Sequence, residues 1–217
     1  MAERSGIPLA KRGALSRRDP GARRQAILEA ALTVFAEEGF AAARLDHVAE
    51  KAGVAKGTIY LHFKDKQDLF EQMVREAVSP VIARLEALAQ LPDLPADMVL
   101  HGMFTVFRTE VLGTRRKDLL RLVMTEGPRF PAIAAFYHRE VVSRGLKLMG
   151  GVLERAKANG ELSSEGFVRF PQLVVAPLIL AVVWDGLFAT LEPLDVEGML
   201  EVYRKLLVQA PGEGNRA

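Results

Sequence analysis

The sequence contains no cysteine, and its four histidines are scattered along the chain. Without thiols the chain cannot form a disulfide, a thiolate metal site or a cysteine nucleophile. His47, His62, His101 and His138 show neither His-x-His nor His-x-x-x-His spacing, so the sequence predicts no metal site and no bound cofactor. A chain without cysteine suits a reducing compartment, and we expect a cytoplasmic protein.

Long apolar runs are also missing. The longest run, Leu173–Trp184, contains Pro177 and is far shorter than the roughly 20 residues that a membrane span needs. Residues 1–24 carry basic residues throughout and no continuous apolar stretch, which is unlike a secretory signal. We therefore expect a soluble protein without a membrane partner.

Positive charge is concentrated at one end of the chain, although the net charge is only +2. Residues 1–24 hold seven basic and two acidic residues, a local charge of +5 that leaves −3 for the remainder. Residues 1–20 mix Gly, Pro, Ser and Arg without periodicity, and we expect a disordered arm there. This basic arm either contacts a polyanion or is simply solvated.

What the sequence does contain is apolar residues at helical spacing. Ile27, Ala31, Val34 and Phe35 share one helical face, and Gly39 follows as a stop. Convincing strand alternation is not found, so the sequence predicts an all-α protein. Further helices are expected over about 45–52, 55–62, 66–88, 100–111, 117–124, 131–159, 167–191 and 196–207.

Residues 45–64, LDHVAEKAGVAKGTIYLHFK, have the outline of a helix-turn-helix. Ala49 is small enough for the second helix to cross closely over the first. Gly53 can take the positive φ that the tight turn needs. With inward-facing apolar residues fixing the angle, the helix from about Ala55 to His62 would project outward into a major groove of DNA.

The residues expected to contact DNA are exposed positions of this motif and the basic residues beside it. Gly57 costs roughly 1 kcal/mol relative to alanine in a helix, which close approach of backbone to DNA would offset. Tyr60 either binds a phosphate or packs against a neighbouring helix. Lys66 begins a helix whose free N–H groups favour phosphate. The expected set is Arg23, Arg24, Arg44, Lys56, Gly57, Thr58, Tyr60, His62, Lys64 and Lys66.

Residues 23–70 closely resemble the DNA-binding domain of TetR/AcrR-type transcriptional regulators. The resemblance rests on Glu-Gly-Phe at 38–40, Ala-Gly-Val-x-Lys-Gly-Thr-Ile-Tyr at 52–60 and Phe-Lys-Asp-Lys-x-x-Leu-Phe at 63–70. It implies an all-helical homodimer of about nine helices per subunit that binds a pseudo-palindromic operator. Arg44 and Ala55 depart from the usual pattern, because neither can cap a motif helix as Ser or Thr does.

The resemblance also implies how the chain is divided. We expect a basic arm at 1–20, a DNA-binding domain at 21–67, a C-terminal ligand-binding and dimerisation domain at 68–210 and a flexible tail at 211–217. Large apolar side chains of the C-terminal domain form either ordinary core or a cavity for a largely apolar effector. The candidates for this pocket are Met103, Phe104, Phe107, Met124, Phe136, Tyr137, Trp184 and Phe188.

The last two helices are so apolar that they are expected to need a partner. Two of them from each subunit would form a four-helix interface around a two-fold axis. The residues expected at this interface are Leu173, Val174, Leu178, Ala181, Met199, Val202, Tyr203 and Leu206.

No carboxylate pair, nucleophile–base set or metal cluster stands out in the sequence, so we expect no enzyme. The function predicted is that of a repressor released from a palindromic operator by a small, largely apolar ligand. An activator and a DNA-binding protein that responds to no ligand stay open as alternatives, and an enzyme is less favoured.

Overall fold

The structure, a computed structural model, describes residues 20–91 and 94–209. The expected arm, apart from Pro20, and the expected tail lie outside these residues. Within them the chain is helical almost throughout. The helices are α1 Pro20–Ala42, α2 Leu45–Ala52, α3 Lys56–His62, α4 Lys66–Ala89, α5 Ala96–Val106, α6 Arg116–Glu126, α7 Pro131–Tyr137, α8 Ser143–Ala158, α9 Gly166–Arg169, α10 Gln172–Leu187 and α11 Val196–Leu207.

Two of these helices continue through π-helical segments. Phe107–Leu112 extends α5, and His138–Val142 joins α7 to α8. With α7 and α8 counted as one helix and the four-residue α9 set aside, the described residues form nine longer helices. The all-α prediction and the expected number of helices are confirmed.

Two glycines set the shape of the N-terminal region. Gly39 interrupts α1 with φ 76° and ψ 163°. Gly53 follows α2 with φ 68° and ψ 31°, and its N–H donates to the carbonyls of Ala49 and Glu50. Residues with a Cβ rarely adopt this left-handed conformation, so the expected turn is confirmed where glycine permits it.

The single helix expected over 167–191 is wrong in its bounds. Phe170 leaves the helical region, with φ −129° and ψ 71°, and separates α9 from α10. The following residue is Pro171, whose ring disfavours a helical conformation in the residue before it. At the other end, Phe188 closes α10 by donating its N–H to the carbonyl of Trp184 at 2.8 Å.

The helices pack around two apolar cores that α4 connects. The first core joins α1, α2, α3 and the first half of α4 to α6 and α7, and it includes Phe35 and Phe70. The second joins α5, α8, α10 and α11, with Leu100 and Leu153 fully buried. The N-terminal half of α4 belongs to the first core, while Leu85 near its C-terminal end packs against the second.

Candidate nucleic-acid interface and ligand cavity

The helix-turn-helix is held together by buried side chains on both of its helices. Val48 of α2 and Ile59 of α3 are fully buried in the first core. Arg44 and Ala55 precede the two helices without forming side-chain caps, as their residue types predict. The packed apolar residues therefore fix the angle between α2 and α3, and the other face of α3 is left outside.

The outer face of α3 presents both polar and apolar groups. Lys56, Gly57 and Tyr60 are exposed, and Thr58 and His62 are half-buried. Leu61 is 82% exposed, and together with Leu191 it is the most exposed large apolar residue that the structure describes. It is not in the expected set of DNA contacts, although both of its neighbours, Tyr60 and His62, are.

Lys56 is paired within the protein. Its Nζ lies 2.7 Å from Oδ1 of Asp46 on α2, and the Arg44 guanidinium lies 3.5 Å from Oδ2 of the same carboxylate. The hydrogen bond from Lys56 holds the pKa of Asp46 below its ordinary value, and in return raises the pKa of Lys56. Lys56 thus remains charged, and a DNA phosphate would compete with Asp46 for this charge.

Lys66, another expected phosphate contact, is engaged within the protein. Its Nζ donates to the carbonyls of Ala41 and Ala43, both at 3.0 Å, and lies 4.8 Å from the centre of the Phe40 ring. Burial lowers the pKa of this ammonium group. The side chain ties the start of α4 to the end of α1, so its donors are directed into the protein.

The two arginines at the start of α1 are also engaged within the protein. Arg24 donates to Glu76 at 3.2 Å and to Gln72 at 2.9 Å, which anchors α1 to α4. Arg23 is half-buried and has a partner in the structure. Arg44 and Lys64 remain exposed beside the motif.

A cavity of about 370 Å³ lies between α4, α5, α6, α8 and α10. Its volume falls in the usual range of small-molecule pockets, roughly 300–1,000 Å³. Of the residues expected to form a pocket, Met103, Phe104, Phe107 and Tyr137 line it. The C-terminal half of α4 also lines it, through Val78, Val81, Ile82 and Leu85, which the sequence presented only as the apolar face of a helix.

The other four pocket candidates lie elsewhere, and the expectation for them is corrected. Phe136 is buried in the first core, with its ring centre 6.5 Å from that of Phe70. Met124 is 44% exposed on α6. Trp184 and Phe188 pack against each other near the end of α10, where the Trp184 Nε1 donates to the Glu192 carbonyl. Neighbouring helices decide these positions, and their packing was not visible in the sequence.

The last two long helices carry an exposed apolar stripe, formed by Leu173, Leu180 and Leu187 of α10 and Val202 and Leu206 of α11. The stripe contains three residues of the expected interface, Leu173, Val202 and Leu206. Met199 and Tyr203 are half-buried against the second core.

Three other interface candidates are corrected. Val174, Leu178 and Ala181 are buried within the subunit, because they lie on the inner face of α10. In the part of the chain that the structure describes, no helix is both long and apolar enough to cross a membrane.

The fold and the site together define a DNA-binding transcriptional regulator of the helix-turn-helix class. Residues 27–73 match the model for bacterial regulatory proteins of the TetR family, and residues 99–204 match the C-terminal domain of AefR-like transcriptional repressors. The chain belongs to the TetR family.

Its relatives are regulators as well. The chain is 32% identical over 148 residues to the transcriptional repressor BepR of Brucella suis, a match spanning 65% of this chain and 69% of that protein. It is 35% identical over 101 residues to the regulator AcrR of Shigella flexneri, which covers 46% of this chain and about half, 47%, of that protein.

Solved structures share the whole fold. FadR from Bacillus subtilis, in complex with stearoyl-CoA, covers 85% of this chain and 97% of its own at 24% sequence identity, with a TM-score of 0.69. FadR from Bacillus halodurans covers 92% and 100% at 22% identity, with a TM-score of 0.71. These likenesses extend over both the DNA-binding region and the region around the cavity.

Proposed function

We propose that the protein is a homodimeric repressor that a small, largely apolar ligand releases from a pseudo-palindromic operator. The observation that carries this proposal is the position of α4. Leu69 and Phe70 in its first half are buried with the helix-turn-helix, and Val81 and Ile82 in its second half line the cavity. A ligand that moves the second half of α4 therefore displaces the helix-turn-helix.

The exposed face of α3 supports the DNA-binding part of the proposal. Lys56 and Tyr60 reach phosphates or base edges, and the backbone at Gly57 approaches the duplex closely. Leu61 contacts a thymine methyl group, the apolar feature of the major groove. Arg44 and Lys64 flank this face and are placed to contact phosphates.

Dimerisation is supported by the apolar stripe. Contiguous exposed apolar surface on the helices of a small protein usually marks an interface. If the stripe pairs with that of a second copy, the two recognition helices read half-sites one helical turn apart, about 34–36 Å. The stearoyl-CoA bound to FadR from Bacillus subtilis supports a ligand with an elongated apolar part for the cavity of this chain as well. A regulator of this kind needs no catalytic activity.

The DNA-binding part is tested by selecting duplexes from a random pool and measuring their affinity by fluorescence anisotropy. We expect an inverted repeat to be bound about 10³-fold more tightly than a scrambled duplex at physiological salt. Equal affinity for the two would favour a DNA-binding protein that reads no specific sequence over a regulator of one operator. A reporter placed behind the selected operator then separates repression from activation, because deletion of the protein raises expression only for a repressor.

A further inference from the structure

Three polar side chains interrupt the otherwise apolar lining of the cavity in the described part of the chain: Arg116, Tyr137 and Gln172. Among these lining residues, Arg116 carries the only charge. Small-molecule sites typically combine apolar walls with a few placed polar groups that orient the ligand. The chemistry of these groups therefore indicates which head group the ligand carries.

Tyr137 is a buried residue in the cavity lining, and the fold does not use its hydroxyl. Its side chain is only 9% exposed, and its hydroxyl forms no hydrogen bond with another described residue. Tyr203, by contrast, donates its hydroxyl to the Leu173 carbonyl at 2.5 Å. A buried tyrosine hydroxyl usually finds a partner. Burial raises the pKa of Tyr137 to about 12, so the group stays protonated and able to donate at neutral pH.

Arg116 supplies an uncompensated charge to the same cavity. Its Nε donates to the Ala77 carbonyl at 2.6 Å and its Nη1 to the Glu110 carbonyl at 3.1 Å. Both acceptors are neutral backbone groups, and the Glu110 carboxylate is paired with Arg84 instead. Among the described residues no carboxylate forms an ion pair with this guanidinium, and Arg116 is half-buried. A guanidinium whose observed acceptors are neutral attracts an anion that can accept hydrogen bonds from it.

We propose that the cavity binds an amphiphile with one anionic head group, a long-chain carboxylate, whose oxygens accept hydrogen bonds from Tyr137 and Arg116. The alkyl chain occupies the apolar part of the cavity. This assignment rests on the proposed ligand-responsive function and adds the chemical class of the ligand and the residues that read it.

The position of Arg116 also connects the head group to α4. Ala77, whose carbonyl accepts from Arg116, lies three residues before Pro80 within α4. A carboxylate that takes over donors of Arg116 competes with this carbonyl. Ligand binding then weakens the contact that α6 makes with the middle of α4, between the half that packs in the first core and the half that lines the cavity.

Calorimetric titration of the full chain at pH 7.5 tests the assignment, with dodecanoate below its micelle concentration and dodecan-1-ol below its solubility limit. The two probes share an alkyl chain and differ in charge. For the wild type we expect dodecanoate to bind about tenfold more tightly, as a hydrogen-bonded charge pair implies. Arg116→Gln should abolish this preference and leave the affinity for dodecan-1-ol within about twofold.

Tyr137→Phe removes a hydrogen-bond donor that both probes use, so it should lower the affinity for each probe by about fivefold or more. Arg115→Gln is the matched control for Arg116→Gln. Arg115 contacts Asp118 and Thr33 outside the cavity, so its variant should keep the wild-type preference for dodecanoate.

The outcomes separate this assignment from the proposed function. Equal wild-type affinities, or a preference that survives Arg116→Gln, would overturn the head-group assignment and leave an alkyl-binding cavity. Failure of both probes to bind would overturn the cavity's role and the assignment together. Should Arg116→Gln fail to fold, a change of less than twofold in Tyr137→Phe would still overturn the assignment.

Discussion

Arg121 of α6 and Asp185 of α10 form an ion pair, with Nη2 and Oδ2 2.5 Å apart. Lys117 reaches the same carboxylate oxygen at 2.8 Å, and Arg121 also donates to the Val182 carbonyl. The helix α6 packs with α1 in the first core, whereas α10 belongs to the second core. This cluster therefore connects the core of the helix-turn-helix to α10, which carries part of the apolar stripe.

The Asp185→Asn variant tests this cluster through the pH dependence of stability. Burial alone would raise the pKa of Asp185, but hydrogen bonds from Lys117 and Arg121 outweigh it and hold the pKa below its ordinary value of 3.8. A lowered folded-state pKa stabilises the fold above the unfolded value and stops doing so as pH falls through the folded value. Asp185→Asn should therefore cost about 1–2 kcal/mol of unfolding free energy at pH 7.

Urea denaturation at pH 7 and at pH 3 measures this cost. The difference between wild type and Asp185→Asn should shrink at the lower pH, where the wild-type carboxyl is also becoming protonated. Glu192→Gln, at an exposed position beyond α10, serves as the control and should change stability little at either pH. A cost that is the same at both pH values would argue against the ion cluster.

The turn of the helix-turn-helix is tested by a pair of glycine-to-alanine variants. A Cβ at Gly53 or at Gly150 would meet no atom within 4 Å, so neither substitution causes a clash. Gly53 has φ 68°, whereas Gly150 lies inside α8. Gly53→Ala should lower the free energy of unfolding by about 1–2 kcal/mol, because alanine is strained in the left-handed conformation. Gly150→Ala should raise it by about 0.5–1 kcal/mol, because alanine favours a helix.

Thermal unfolding of the two variants measures the expected loss of stability in Gly53→Ala and the expected gain in Gly150→Ala. If Gly53→Ala were as stable as Gly150→Ala, the turn would not depend on positive φ.

The backbone preference of glycine also explains why the N-terminal helices were predictable. Their boundaries are set by residues such as Gly39 and Gly53, whose local backbone preferences can be read directly from the sequence.

Positions in the C-terminal half were less predictable for a physical reason. Leu173–Trp184 is apolar on every face, so spacing could not distinguish the buried Val174 from the exposed Leu173. Phe136 and Tyr137 are neighbours and both pack in the first core, yet only Tyr137 also lines the cavity. Contacts between distant helices decide both cases, and helical periodicity does not encode them.

Lys56 and Lys66 should differ in their effect on DNA binding. Lys56→Ala removes a side chain on the exposed face of α3, and it should lower the dependence of log K on log salt by about 0.9. Lys66→Met removes the donors to the carbonyls of Ala41 and Ala43, so it should lower the stability by about 1–2 kcal/mol and leave the salt slope unchanged. Anisotropy titrations at several salt concentrations, with thermal unfolding alongside, distinguish the two.

The reverse pattern, with the slope lowered by Lys66→Met and not by Lys56→Ala, would place the DNA on a different surface. Each slope is compared with that of the wild type on the same duplex.

Leu180→Glu should dissociate the proposed dimer. Leu180 lies in the middle of the apolar stripe and is 47% exposed in the subunit, so a carboxylate there costs little in the monomer and much in a closed apolar interface. Met98→Glu is the control, because Met98 is 56% exposed on α5 and is not part of the stripe. Sedimentation velocity should show a monomer for Leu180→Glu and a dimer for Met98→Glu. A dimer in both would move the interface elsewhere.

Gly145 offers a way to fill the cavity from within. It lines the cavity on α8, and a Cβ built there meets no atom within 4 Å. Gly145→Leu should occupy the ligand's space and favour the helix, since glycine in a helix costs roughly 1 kcal/mol relative to alanine. The variant should therefore keep its affinity for DNA and lose its affinity for dodecanoate.

The most direct test of the coupling through α4 is the anisotropy of the selected operator duplex, titrated with wild type and with Gly145→Leu, each with and without saturating dodecanoate. We expect dodecanoate to weaken operator binding by the wild type about tenfold or more and to leave Gly145→Leu unchanged, as a coupling free energy of at least 1.4 kcal/mol requires. Wild-type affinity that is the same with dodecanoate bound and without it would contradict the account.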